Sequence, residues 1–432
     1  MRHSPEMVLC AFLCSTGYHS ASWRADGADP MANIDPDYFC SLARTAERGG
    51  LDAVFLADSM AVWSDVAARP AGAVEPAVLA AAILLATERI GVIITQSTTY
   101  NEPFNVARRL ASLDHLGGGR IGWNIVTSAT REAAENFGFV DIPDHDERYR
   151  RAHEFVRVCL ALWNSWQPDA IRADPTGDWA DPAGIAPIEH RGDFFRVRGP
   201  LDVPPSPQRV PLLVQAGSSE QGVTLAAAFA DLVFSVATTF EHARAFRRRV
   251  RATTDPARRI RVLPGLIPVI GSTDADAHRR LAALDALVDP EPSVRQLERS
   301  LALPANSLAV EDRFDLDLPS AATNAGNQTY YQVIREMALA RCYTVGRVAQ
   351  LMATSRGHRL VVGSAATVAR AMIDWVRRGA ADGYILMPAV LPTDLNRFVD
   401  EVVPLLRSAG YHSVGSSDMP LAHRFRTDRG QR

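Results

Sequence analysis

The groups best suited to chemistry in this 432-residue chain stand just after short apolar runs of strand length. They are Cys14 and His19 after the first run, Asp58 after the second, Thr95 to Thr99 and Asn124 to Ser128 at the ends of the third and fourth, and Gly217-Ser218-Ser219 after the fifth. Asp and His can move protons, and Asn and Thr can orient a planar ligand through hydrogen bonds. Two serines before a helix can hold an anion at the positive end of its dipole, although an ordinary helix cap is the simpler reading of those serines alone. His145-Asp146-Glu147-Arg148-Tyr149 opens a helical pattern. If that turn is already helical, His145 and Tyr149 share a face and Arg148 adds a charge that could meet a phosphate. A capping role for Asp146 beside a solvated Arg148 accounts for the segment equally well.

Several chemistries are missing. The 11 histidines are dispersed, with no HExxH and no His/Cys cluster at ligand spacing, so no metal is expected. There is no GxSxG elbow, Ser128 has no neighbouring His to act as base, and no GxGxxG follows a strand. With 46 basic and 49 acidic residues the net charge is −3, which offers no face for a nucleic-acid backbone. The arginine-rich stretches 244–251 and 258–261 read as solvated faces. Five scattered cysteines without CxxC spacing do not form a secreted disulfide framework. No basic leader stands at the N-terminus, and no apolar run reaches the roughly 20 residues of a membrane span. The expectation is a cytoplasmic protein with no membrane or nucleic-acid partner, whose chemistry comes from a borrowed organic cofactor.

The elements that must position these groups alternate in type. Apolar runs at Val8–Cys14, Ala53–Leu56, Ile90–Thr95, Ile121–Val126, Pro211–Ala216, Leu232–Val236, Val262–Ile270 and Gly383–Met387 are separated by amphipathic helical patterns, among them Asp35–Arg48, Glu147–Trp163 and Ala365–Arg378. Runs apolar at consecutive positions suit parallel strands covered on both faces. Two α/β architectures fit, a doubly wound sheet and an eight-stranded barrel, and in a barrel the polar strand ends gather on one face. Residues 164–210 and 289–357 break the alternation and read as insertions, the first holding a hairpin near Gly192–Val197. The second could cover the barrel mouth, with Arg313, Asn327, Tyr330 and Tyr331 as candidates to read a substrate. Residues 1–410 form one unit on this reading, and 411–432 a tail.

At Gly122-Trp123-Asn124-Ile125-Val126-Thr127-Ser128 the chain resembles the nitrilotriacetate monooxygenase branch of the bacterial luciferase-like flavin monooxygenases, which includes dibenzothiophene-sulfone and long-chain alkane monooxygenases. Similar blocks run in family order from His19-Ser20-Ala21-Ser22-Trp23-Arg24 through Gln215-Ala216-Gly217-Ser218-Ser219 to Arg356-Gly357-His358 and Ala381-Asp382-Gly383-Tyr384. The resemblance implies a (β/α)8 TIM barrel with insertions. It implies an oxygenase that takes reduced FMN from a separate NAD(P)H-dependent flavin reductase and, through a flavin peroxide formed with O2, oxygenates a small organic substrate. A homodimer or homotetramer is expected. By motif, Asp58, Thr95, His145, Tyr149, Ser218 and Ser219 fall on flavin-contacting positions, with Asn124 and the backbone of Thr127 near the isoalloxazine ring. Asn124, His19 and His358 are the candidates for groups facing the reacting centre. Two alternatives stay open: a hydride-transfer enzyme using the deazaflavin F420, and a flavin-binding protein without turnover. The loop Ser128-Ala129-Thr130 lacks the His that some relatives carry there, and the sequence after Gly410 departs from their usual ending.

Overall fold

The computed structural model describes residues 6–62, 66, 69–316, 318, 328–340, 342–413 and 419–426. Its strands are β1 (Val8–Leu13), β2 (Ala53–Leu56), β3 (Gly91–Ser97), β4 (Ile121–Val126), β5 (Leu212–Gln215), β6 (Leu232–Ser235), β7 (Arg261–Gly271) and β8 (Gly383–Leu386). Each is parallel to the next, and β8 returns to β1 with Val8 opposite Gly383, so the sheet closes into a barrel and the doubly wound alternative is excluded. A further strand, Arg359–Ser364, runs parallel to the outer half of β7, with Arg359 opposite Leu266 and Ser364 opposite Gly271.

Strand side chains alternate between two apolar environments. Cys10 and Phe12, Phe55, Ile93, Val214, Ile267 and Met387 share one buried cluster, the barrel interior. Leu9, Ala11, Val54, Ile94, Trp123 and Ile125 pack outward against the helices. Both faces are therefore buried, which is why these runs are apolar at consecutive positions. Helix starts are fixed by side chains: Asp35 accepts from the N–H of Asp37 at 2.9 Å, and Glu75 from those of Ala77 and Val78 at 2.8 and 3.0 Å.

The floor of the barrel comes from residues 419–426, which the sequence places in a tail. Leu421, Ala422 and Phe425 join the interior cluster. The Leu421 N–H donates to the Gly119 carbonyl at 2.8 Å, and Arg426 donates to Asp231 at 2.7 Å and to the carbonyls of Val210 and Pro211 at 2.9 and 2.8 Å. Helices Pro290–Ser300, Gln328–Ala340 and Val345–Ser355 of the second insertion build a small core of their own around Leu297, Phe314, Ile334 and Val348. Tyr331 is buried in that core and Arg313 is exposed, while Asn327 and the side chain of Tyr330 lie outside the described residues. The first insertion carries the expected hairpin, with His190–Arg191 antiparallel to Arg196–Val197.

Candidate active site

The C-terminal ends of β3 and β4 place Thr95 and Asn124 directly opposite each other, in the phase of the strands that faces the interior. Asn124 Nδ2 donates to Thr95 Oγ1 at 2.9 Å. Asn124 Oδ1 is buried and has no partner. A buried acceptor left unpaired costs about 1–3 kcal/mol, so the position calls for a donor that the described residues do not provide. The loops above are tied down around this pair. Ser97 Oγ meets Ser128 Oγ at 2.9 Å, and the Thr99 hydroxyl donates to the Thr127 carbonyl at 2.6 Å. Ser128 itself sits at φ 40°, a left-handed conformation uncommon outside glycine. Asp58 is half-buried beyond β2, and burial together with the nearby Glu75 carboxylate raises its pKa.

A second group of residues lies beyond β5. Helix Glu220–Phe229 is capped by Ser219, whose Oγ accepts from the Gly222 N–H at 3.1 Å. A Cβ on Gly217 would stand 3.0 Å from the Tyr149 hydroxyl and would clash with Gln215 Nε2, so both side chains close in on the backbone of this glycine. Tyr149 lies on helix His145–Trp163, its ring 4.9 Å from that of His145. Gln221 Nε2 donates to Asp146 at 2.7 Å and ties the two helix starts together. The structure thus gathers His145, Tyr149, Ser218 and Ser219 around one helix N-terminus, whose dipole favours an anion.

Some roles differ from those the sequence suggests. Asp144, not Asp146, caps the helix, accepting from the N–H groups of Asp146 and Glu147 at 2.9 and 3.1 Å. Arg148 is buried and donates to the carbonyls of Pro143 and Ser128 at 3.0 and 2.7 Å, so it braces the loop after β4. The arginines of 244–251 are not all solvated: Arg247 and Arg251 pair with Asp382 at 2.7 and 2.9 Å, and Arg249 donates to the Ser218 carbonyl at 2.6 Å. Arg249, which braces this helix start, carries no motif that spacing would reveal.

Across the barrel, β1, β2 and β6 present an aromatic wall. Phe12 stacks on Phe55 with centroids 5.6 Å apart, Tyr18 meets Phe12 edge-on at 5.7 Å, and His358 stacks on Phe234 at 5.4 Å. Burial, aided by Arg356, holds His358 neutral by lowering its pKa to about 3, and its Nδ1 has no partner. His19 is spent on structure: Nδ1 accepts from the Ala21 N–H at 3.1 Å, which leaves Nε2 to donate to Asp285 at 3.0 Å. Asp285 also accepts from the Thr354 hydroxyl at 2.5 Å. Burial works against its charge, but these bonds outweigh it and hold the carboxyl below its usual range. Among the described residues no group of three or more His, Cys, Asp or Glu could hold a metal, and no helix is long and apolar enough to cross a membrane.

The barrel, with its polar strand ends, is the scaffold of a flavin-dependent monooxygenase, and residues 12–382 match the model of the luciferase-like monooxygenases, the family to which this chain belongs. It is 39% identical over 416 residues to N-acetyl-S-(2-succino)cysteine monooxygenase of Bacillus subtilis (strain 168), covering 94% of this chain and 93% of that protein. It is 37% identical to nitrilotriacetate monooxygenase component A of Aminobacter aminovorans, covering 95% and 94%. Among solved structures it superposes on EDTA monooxygenase from Chelativorans sp. BNC1 with a TM-score of 0.82 at 34% identity, covering 97% of this chain and 98% of the other.

Proposed function

We propose that the chain is the oxygenase component of a two-component system, taking reduced FMN from a separate NAD(P)H-dependent reductase and using dioxygen to oxygenate a small organic substrate. The observation that carries this reading is the orphaned Asn124 Oδ1, an acceptor held ready inside a barrel whose neighbouring strand leads to a phosphate seat. The residues fit FMN: Asn124 and Thr95 would orient the ring, and Tyr149, Ser218 and the helix N-terminus would hold the phosphate. Bound reduced FMN supplies the electrons that activate dioxygen. The chain's own contribution is orientation and exclusion of water, the latter by Phe12, Phe55, Phe234 and Tyr18. Burial holds His358 neutral, and both nitrogens of His19 are bonded within the protein.

Full-length similarity to monooxygenases supports oxygenation over hydride transfer to a deazaflavin. A soluble homodimer or homotetramer in the cytoplasm completes the proposal. Its test is an NADH oxidation assay with FMN present. The isolated chain, which has no dinucleotide fingerprint, should show no turnover until a flavin reductase is added. Rapid NADH oxidation by the chain alone would refute the two-component reading.

A further inference from the structure

The hairpin of the first insertion sets like charges face to face. Arg191 lies directly opposite Arg196 in the antiparallel pairing of His190–Arg191 with Arg196–Val197. Facing residues of such a ribbon have Cα atoms about 4.5–5.5 Å apart, and two cations at that spacing repel and weaken it. Both side chains are exposed, and neither guanidinium has a hydrogen-bond or ion-pair partner among the described residues.

The carboxylate nearest to the ribbon is spent on its other face. Glu154, on helix His145–Trp163, accepts from His190 Nε2 at 2.9 Å and from the N–H groups of Phe194 and Phe195 at 3.1 and 2.8 Å. Arg150 of the same helix lies over the Phe194 ring, 5.7 Å from its centroid. These contacts fix the ribbon to the barrel with His190 inward. Successive side chains of a strand alternate, so Arg191 and Arg196 are directed outward. With Glu189, His190, Val197 and Arg198 they line an open cavity of about 410 Å³. Its lining holds three arginines to one carboxylate, and that carboxylate is engaged with Arg198 at 3.4 Å.

We infer that this cavity is a binding site for a ligand carrying a diphosphate group, separate from the flavin site. Each guanidinium fork matches the paired oxygens of one phosphate, and two forks facing across the ribbon match two linked phosphates. The bound anion converts the repulsion between Arg191 and Arg196 into attraction to a shared partner, whereas a single carboxylate satisfies one fork only. Glu154 stands nine residues along its helix from His145, about 13 Å at 1.5 Å per residue, so the ribbon lies down the flank of the barrel from the proposed FMN contacts. Inorganic pyrophosphate and a nucleoside diphosphate share the chemistry that this site recognises.

The test is calorimetric titration of the full-length protein saturated with FMN, with inorganic pyrophosphate and ADP as probes, magnesium absent and ionic strength held constant. Both probes should bind, with affinity falling as salt is raised. Equal affinities identify the diphosphate alone as the ligand, and tighter binding of ADP identifies a nucleoside diphosphate. R191Q/R196Q should lose about tenfold or more in affinity for both probes and, relieved of repulsion, should melt at the wild-type temperature or above it. R191K/R196K keeps the charge without the forks and should fall between the two. R295Q/R299Q, which removes two exposed arginines of helix Pro290–Ser300, should bind as wild type does. Ser218→Glu titrated without FMN should also retain pyrophosphate binding, which separates this site from the flavin phosphate. Wild-type protein that binds no pyrophosphate at low millimolar concentration, equal weakening in R191Q/R196Q and R295Q/R299Q, or loss of binding in Ser218→Glu overturns the inference.

Discussion

Asn124→Ala separates ligand recognition from structural support, because its two side-chain atoms have opposite balances. Nδ2 gives Thr95 Oγ1 a hydrogen bond of 2.9 Å, while Oδ1 is buried with no partner. A neutral buried bond contributes about 1 kcal/mol, and an unpaired buried acceptor costs about 1–3 kcal/mol. Alanine removes both, so the flavin-free protein should be unchanged or stabilised by up to about 2 kcal/mol. On the proposed function, bound FMN satisfies Oδ1 and the substitution deletes a bond near the reacting ring. FMN affinity should then fall about tenfold, equivalent to about 1.4 kcal/mol, with the phosphate seat at Tyr149 and Ser218 intact. Product formed per reduced flavin should fall with it, as more oxygen leaves as hydrogen peroxide. The assay pairs melting temperature with and without FMN against the product-to-peroxide ratio in a reductase-coupled reaction. Equal stability loss in both states, with unchanged coupling, would remove Asn124 from the site.

Other consequences concern the seat, the floor and the aromatic wall. Ser218→Glu sets a negative charge against a phosphate at the helix N-terminus and should weaken FMN by about tenfold or more in a fluorescence titration, while riboflavin, which lacks the phosphate, changes much less. Arg426→Ala strands the buried Asp231 carboxylate beneath the barrel and should cost about 3 kcal/mol in urea unfolding, with FMN affinity preserved once folded. His358 has a folded pKa of about 3 against an unfolded value of about 6.5, so the unfolded chain binds the proton first. Its contribution is present above about pH 6.5 and drains as pH falls towards 3, by about 1.4 kcal/mol per pH unit. His358→Gln should flatten the acid limb of the stability curve by one proton; an unchanged slope would show that His358 is already charged in the fold.

What the sequence makes legible follows from periodicity. Consecutive apolar runs are a direct consequence of burial on both faces, so each barrel strand could be placed, including the short Leu232–Ser235. The helix at His145 was readable from its face, but its cap was not: Asp144 and Asp146 are both reasonable, and only backbone geometry selects Asp144. The strand Arg359–Ser364 is hard to see because four of its six residues are only partly buried and its pattern is mixed. The floor segment escapes for another reason. Its three apolar anchors are too few to show a period, and the Arg426–Asp231 pair joins positions far apart in the chain. The polar residues at strand ends could be located because a barrel collects them on one face, whereas Arg249, inside helix Phe240–Thr253, is one arginine among several and no period sets it apart.

The central claim is that this chain binds reduced FMN at the β3 to β5 side and uses it to oxygenate substrate. The most direct measurement mixes anaerobic protein with chemically reduced FMN, determines binding, and then admits dioxygen with a panel of charged and neutral small organic substrates, analysing the products by mass spectrometry under labelled oxygen. The account predicts binding without any reductase present and one labelled oxygen atom in the product, with both properties weakened in Asn124→Ala and binding alone weakened in Ser218→Glu. Tight binding of reduced FMN with all labelled oxygen recovered as hydrogen peroxide, across charged and neutral substrates alike, would contradict it.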